Sequence, residues 1–423
     1  MTLGGEGIIP LALMLGNITE DLALRCGDVI GGLMNATFGN VVELLMSVVF
    51  IWQSRQKPSL NDIVAATLLG SILSNLVLVL GMCFFFGGLY HPEQFFNVSA
   101  SKANNALLFM SCIAVVLPSI TIALASEPGA AKEHKLIPGG GKLMSHVFSL
   151  LLLLLYCCYL YFQLVSHRMI FDAENVGSHH SHRGTPNASL AGSFGDLRVA
   201  AADADPPSGR KSGAVAGPAS PEVTWGDGDG GGEGAPEGGS SRGPLVPYVR
   251  MDTMQAVALE VEEEEPVLSI FGAVLAMLII SLVVAVGSDF LCDSIEDVSQ
   301  SLGLSRSFIG MIILPVAGNA CEHLTAVMVA VKNKMNLALA VAVGSSIQIA
   351  IFVIPFCVTF AWAVGSDFSL DFGVFGVAVT TLAVILAAMV TSDGSSNWLL
   401  GLCLILTYCL IGVCYFCRTD PED

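Results

Sequence analysis

Apolar residues in this chain come in long, nearly unbroken blocks rather than at a helical or strand period. The first runs from about Gly7 to Leu24 and is short for a membrane span. The next four run from about Val29 to Trp52, Ile63 to Leu89, Asn104 to Ala125 and Met144 to Val165. Five more follow, at about Val267 to Leu291, Ser307 to Val331, Leu337 to Val364, Phe372 to Val390 and Trp398 to Phe416. A bilayer-spanning helix needs roughly 20 mostly apolar residues. In hydrocarbon the backbone must satisfy its own hydrogen bonds, so the blocks are predicted to be helices. Their continuity does not suit the alternating strands of a barrel. The pattern predicts an all-α membrane protein of about ten transmembrane helices. A polar stretch, about Ser166 to Pro266, divides the blocks five and five. An odd number of spans per half turns the second half over relative to the first, which predicts two inverted five-helix repeats. The expected domains are an N-terminal transmembrane repeat at 1–166, a disordered linker ending in an acidic helix at 167–266, and a C-terminal transmembrane repeat at 267–423.

Composition agrees and narrows the function classes. Only 13% of residues are charged, against about 25% in soluble domains. The net charge of -18 falls largely in the central polar stretch and short loops, which argues against a nucleic-acid partner. Most of the 12 cysteines lie inside apolar blocks and read as small hydrophobes. Cys414 and Cys417 form a lone CxxC, read as ordinary membrane cysteines rather than a metal or redox site. Met1 to Gly16 has no basic n-region, so no cleavable signal peptide is expected.

The linker is rich in Gly, Ala, Ser, Pro and Asp, with Gly230, Gly231 and Gly232 in a row. Such a composition buries too little apolar area to fold, which predicts disorder. His179, His180 and His182 read as a solvated cluster rather than a metal site. The stretch Met251 to Val261 has helix-forming composition and runs into the acidic residues Glu260, Glu262, Glu263, Glu264 and Glu265. Both a solvated charge run and a cation-sensing role fit that segment. Basic residues do not orient the chain: Arg25, Lys102, Arg168, Lys332 and Lys334 fall on one side, and Arg55, Lys57, Lys132, Lys135, Lys142, Arg306 and Arg418 on the other.

Two short sequences carry the chemistry. The second block contains Gly39-Asn40-x-x-Glu43, and the seventh contains Gly318-Asn319-x-x-Glu322. An ionised carboxylate at mid-membrane costs several kcal/mol and usually marks function. Asn and Glu three apart share a helix face, so each half offers an amide beside a carboxylate. Gly39, Gly318 and Pro315 weaken the helix locally, and a break there would release backbone carbonyls as ligands. The third and eighth blocks also match, as Gly70-Ser71-Ile72-Leu73-Ser74-Asn75 and Gly344-Ser345-Ser346-Ile347-Gln348-Ile349. A lone Gly-Ser pair is usually a helix-packing feature. The same order of two motifs, once per half, instead points to oxygen ligands that complete a cation shell. His323 reads as a structural residue or as a partner to Glu322, since hard cations prefer oxygen.

With Thr19-Glu20-Asp21-Leu22-Ala23 and Gly31-Gly32-Leu33-Met34-Asn35-Ala36-Thr37-Phe38 added, these stretches resemble the cation/proton exchanger family of the calcium/cation antiporter superfamily. The resemblance implies calcium loading of a vacuole or another acidic organelle, driven by a proton gradient. It implies Glu43 and Glu322 as central ligands, and a linker facing the cytosol. It also implies a longer N-terminus with one more helix than this sequence carries. Calcium takes six to eight oxygens. On this reading Glu43 and Glu322 supply the charge, and Asn40, Asn319, Ser71, Ser345, Gln348, backbone carbonyls and water supply the rest. Protons replace the departing ion on the same carboxylates. Glu20, Asp21 and Asp28 at one mouth, with Asp289, Asp293, Glu296 and Asp297 in the second half, are candidates to gather cations; plain solvated helix ends explain them equally well. No cofactor is expected beyond the transported ions, the partners are the ions and the bilayer, and homo-oligomerisation is left open. The rivals are a sodium-coupled exchanger on the same fold, a passive cation channel and a sensor built on the acidic run. An intramembrane hydrolase is disfavoured because His323 has no serine at a recognised spacing.

Overall fold

Each apolar block within the described residues folds as a helix. The computed structural model describes residues 10–11, 14–19, 21–22, 38–126, 136–167 and 268–419. Glu20, Asp28, residues 31–37, the histidines at 179, 180 and 182, and Glu260 with Glu262–Glu265 lie outside them, as does the side chain of Cys321. In chain order the elements are α1 (Val41–Ser54), α2 (Leu60–Tyr90), β1 (Gln94–Phe95), α3 (Val98–Ser126) and α4 (Gly140–Ser166). The second half gives α5 (Ile270–Leu302), α6 (Arg306–Gly318), α7 (Ala320–Val331), α8 (Met335–Val364), α9 (Val374–Val390), β2 (Ser395–Ser396) and α10 (Trp398–Phe416). Among the described residues 6 helices are long and apolar enough to cross a membrane, or up to 7 if α6 and α7 count as one bent span. α1 and α9 are apolar but shorter.

Burial separates centre from rim. In α2, 89% of the most apolar window is buried inside the protein, and in α8 67%; in α4, α5 and α10 the share is 22%. α2 and α8 therefore form the centre, while α4, α5 and α10 turn large side chains such as Leu154, Leu278, Leu282 and Leu410 outward. That is the arrangement lipid demands.

Glycines set the tightest contacts. Gly70 of α2 meets α6 so closely that a methyl group there would collide with the Met311 carbonyl and with Pro315. Gly81 of α2 meets Gly401 of α10, where a Cβ on Gly401 would stand 2.6 Å from the Gly81 carbonyl oxygen. Small residues allow such backbone approach where the hydrophobic effect between helices is absent. Capping is local: Ser269 accepts from the Gly272 N–H at 3.1 Å at the start of α5, and Asn397 accepts from the N–H groups of Leu399 and Leu400 at the start of α10.

The two halves show the same irregularities. α2 carries a π-helical turn at Ser74–Val79, just after Gly70-Ser71. α8 carries one at Ile349–Val353, just after Gly344-Ser345. Such turns are rare and cluster at functional sites. The halves are also stitched together, because β1 and β2 pair antiparallel with Gln94 opposite Ser396.

Candidate functional site

The second Gly-Asn step breaks its helix, as its composition predicts, and the first is a turn from which a helix starts. Gly39 and Asn40 form a turn ahead of α1. Asn319 separates α6 from α7, which meet at a bend of 57°. Glu43 and Glu322 consequently stand in the first turns of two short helices. Glu43 is 3% exposed and Asn319 fully buried; Glu322 is half-buried.

The structure brings the two motifs together. A Cβ built on Gly318 would lie 3.3 Å from Glu43 Oε1, so the second half's glycine packs directly on the first half's carboxylate. The carboxylates of Glu43 and Glu322 lie within electrostatic range of each other.

Around them run hydrogen bonds between the halves. Ser345 Oγ donates to Asn40 Oδ1 at 2.6 Å, and Asn40 Nδ2 donates to Gln348 Oε1 at 2.8 Å. Asn75 Nδ2 donates to Ser345 Oγ at 3.0 Å. The serine and glutamine of the second Gly-Ser motif thus hold the amide of the first Gly-Asn motif.

The counterpart on the other side is open. Asn319, through both amide atoms, and Ser71 Oγ are buried without a hydrogen-bond partner in the protein, as are Glu43 Oε1, Glu322 Oε2 and Asn75 Oδ1. A buried polar atom without a partner costs about 1–3 kcal/mol, and most such atoms in proteins are paired. Five of these six atoms are oxygens, the donor type that hard cations take. Among the described residues no three His, Cys, Asp or Glu side chains cluster as a metal site. The centre holds two carboxylates with amides and hydroxyls instead.

His323 fits the structural alternative, and Asn75 joins the polar centre. The hydrogen bond recorded for His323 goes to Ser74, with Nε2 and Oγ 2.9 Å apart, rather than to Glu322. No serine stands at a recognised spacing from His323, and the fold supplies one from 249 positions away. Ser74 is fully buried between transmembrane helices, at the start of the π turn, which makes this a contact between halves. Asn75 ends the first Gly-Ser motif, opposite Ile349 in the second half, and the structure adds it to the polar centre. The signal that marks it is an amide set in apolar sequence.

Three of the outer acidic residues are engaged: Asp21, Asp289 and Asp293. Lys57 Nζ lies 2.9 Å from Asp293 Oδ1, and Gln53 donates to Asp289 Oδ1. The hydrogen bond and charge of Asp293 push the Lys57 ammonium pKa upward. Asp21 accepts from the Leu268 N–H at 3.2 Å. Asp289 and Asp293 are exposed, so any pull they exert on cations is screened over about 8 Å at physiological salt. Asp293→Asn is expected to raise the apparent KM for a transported cation about twofold at low ionic strength and to leave it unchanged near 0.15 M salt. Initial uptake rates at the two salt levels check this, and a large effect at both would place Asp293 on the ion path.

Buried carboxylates with neutral oxygens beside them, inside a helical membrane protein, are the donor types that hard cations take. The chain belongs to the sodium/calcium exchanger protein family, whose profile matches residues 1–165 and 272–416. This is a family of transporters rather than catalysts. The chain is 37% identical over 420 residues to a vacuolar calcium ion transporter of Cryptococcus neoformans, covering 97% of this chain and 67% of that protein. It is 32% identical over 417 residues to a Ca(2+)/H(+) antiporter of Synechocystis, covering 98% and 90%. Among solved structures, native YfkE aligns with a TM-score of 0.64 at 27% identity over 99% of this chain and 92% of that one.

Proposed function

We propose that this chain exchanges calcium, or a similar divalent cation, for protons across the membrane of a vacuole or another acidic organelle. The observation that carries the reading is the buried set of unpartnered oxygens around Glu43 and Glu322, drawn from both halves. The names of the relatives supply the ion and the counter-ion, since they are called vacuolar calcium ion transporter, vacuolar cation/proton exchanger and Ca(2+)/H(+) antiporter.

The chemistry follows from charge. Two carboxylates balance one divalent cation, and Asn319, Ser71 and Asn75 offer neutral oxygens beside them. When the cation leaves, two close carboxylates in an apolar setting are costly to keep charged, and protons take its place. Ion and protons exclude one another on the same groups, and that exclusion is antiport. The pair loaded with either the cation or protons carries no net charge and can pass between the two faces, whereas the empty charged pair cannot. The repeats at 1–166 and 267–423 are the bodies that rock around the site.

A second reading, sodium-coupled exchange, draws support from the family's description. Proteoliposomes separate the two. An imposed pH gradient is expected to drive labelled calcium uptake, and a sodium gradient of equal size to drive none. Uptake under the sodium gradient alone would overturn the proton-coupled reading.

A further inference from the structure

Away from the carboxylates, the turn between α2 and α3 builds a second polar contact between the halves. Gln94 is 1% exposed. Its Nε2 donates to the Ala330 carbonyl at 2.8 Å and to Asn333 Oδ1 at 3.0 Å. His91 Nε2 stands 3.1 Å from the Val331 carbonyl oxygen, and the Asn97 N–H donates to Asn336 Oδ1 at 2.8 Å. The receiving side is built for this contact. Asn333 takes a left-handed conformation, φ 60°, and folds the end of α7 back toward the turn. On the donor side, Gly87 is required: a methyl group there would collide with Gln94 Oε1.

The carbonyl end of a helix lacks intrahelical partners; at α7 the N–H groups of Lys332, Lys334 and Asn333 meet the Met328, Val329 and Ala330 carbonyls, and the opposite half adds Gln94 to Ala330. Near its other end, among the described residues, α7 has a single polar tie to the first half, the 2.9 Å contact of His323 with Ser74. Its first residue follows the bend at Asn319, where no side chain caps the helix. Glu322 stands in the first turn of α7 and Ala330 in the last, about 12 Å along a rigid rod.

We propose that Gln94 is a positioning residue for the ion site, fixing α7 along its axis so that Glu322 keeps its height beside Glu43. This rests on the antiport reading. Releasing the clamp lets α7 slide and blurs the carboxylate's position, which weakens cation binding and leaves the rate of the loaded protein largely intact.

The test compares Gln94→Ala, which removes the amide, with Gly87→Ala, which displaces it, and with the double variant. Calcium uptake into proteoliposomes under a pH gradient is measured for protein that elutes as a single folded species. Each single variant is expected to raise the apparent KM for calcium about tenfold with the maximal rate within about twofold, a shift of about 1.4 kcal/mol in affinity. The double variant should show no further rise, because the group that Gly87→Ala displaces is already gone. An unchanged KM, a fall in maximal rate alone, or effects that simply add would overturn the proposal. Hydrogen exchange over residues 328–334 gives a reading that needs no transport: it should quicken in both single variants, and protection equal to wild type would also overturn the proposal. Failure of the wild-type protein to take up calcium under the gradient would sink the antiport reading instead, and the exchange measurement would still report whether Gln94 anchors α7.

Discussion

Glu43→Gln and Glu322→Gln are each expected to abolish calcium uptake driven by a pH gradient, with initial rates falling at least about a hundredfold. Truncating one partner of a buried charge contact costs about 2–5 kcal/mol of binding, and every 1.4 kcal/mol is tenfold in affinity. Glutamine keeps the side chain's size and one oxygen but removes both the charge and the exchangeable proton. The same substitution relieves the cost of burying a carboxylate whose oxygen has no partner in the protein. The variants should therefore unfold at the same temperature as wild type or slightly higher. Loss of transport with undiminished stability separates an ion ligand from a structural ion pair, for which stability would fall too. Retained uptake in folded Glu322→Gln protein would remove Glu322 from the site.

The largest structural effect is expected at Gly401. A side chain there meets backbone rather than flexible side-chain ends: the Phe85 N–H, the Gly81 carbonyl and the Phe84 carbonyl carbon. Overpacking of this kind costs about 1–3 kcal/mol where neighbours can yield. Here α2 is the most deeply buried of the long helices, so the upper end or more is expected. Gly401→Val should aggregate on extraction or unfold well below the wild-type temperature in a thermal assay. Gly412 lies eleven residues further along the same helix, with no described atom within 4 Å of a Cβ built there, and Gly412→Val should behave as wild type. Equal stability of the two variants would mean that α2 and α10 do not pack through these glycines.

Much of the fold was legible because lipid imposes one strong rule, that apolar runs become helices. The blocks ending at Leu89, Val331, Val364 and Phe416 finish within a residue or so of α2, α7, α8 and α10. The seventh block did not show its break as directly; Gly318 and Pro315 marked where it falls, but not the 57° turn. The paired Gly-Asn-x-x-Glu motifs could be found because each sits alone in apolar sequence, where a polar residue needs a reason. What stayed hidden was pairing across long distances. The contacts of Ser74 with His323, Asn75 with Ser345, and Gln94 with Ala330 join residues more than 230 positions apart. No local pattern encodes such partners. A motif repeated in the other half points to Glu43 and Glu322, whereas Asn75, opposite Ile349, has no such repeat to mark it.

The unequal treatment of the two asparagines carries a consequence for the working cycle. Asn40 is gripped by Ser345 and Gln348, while the amide of Asn319 and the hydroxyl of Ser71 are idle. A cation that meets Asn319 or Ser71 displaces no hydrogen bond within the protein, whereas one that meets Asn40 must first loosen Ser345 and Gln348. Desolvation is thus cheapest on the Asn319 side, and an arriving ion is expected to touch that side first.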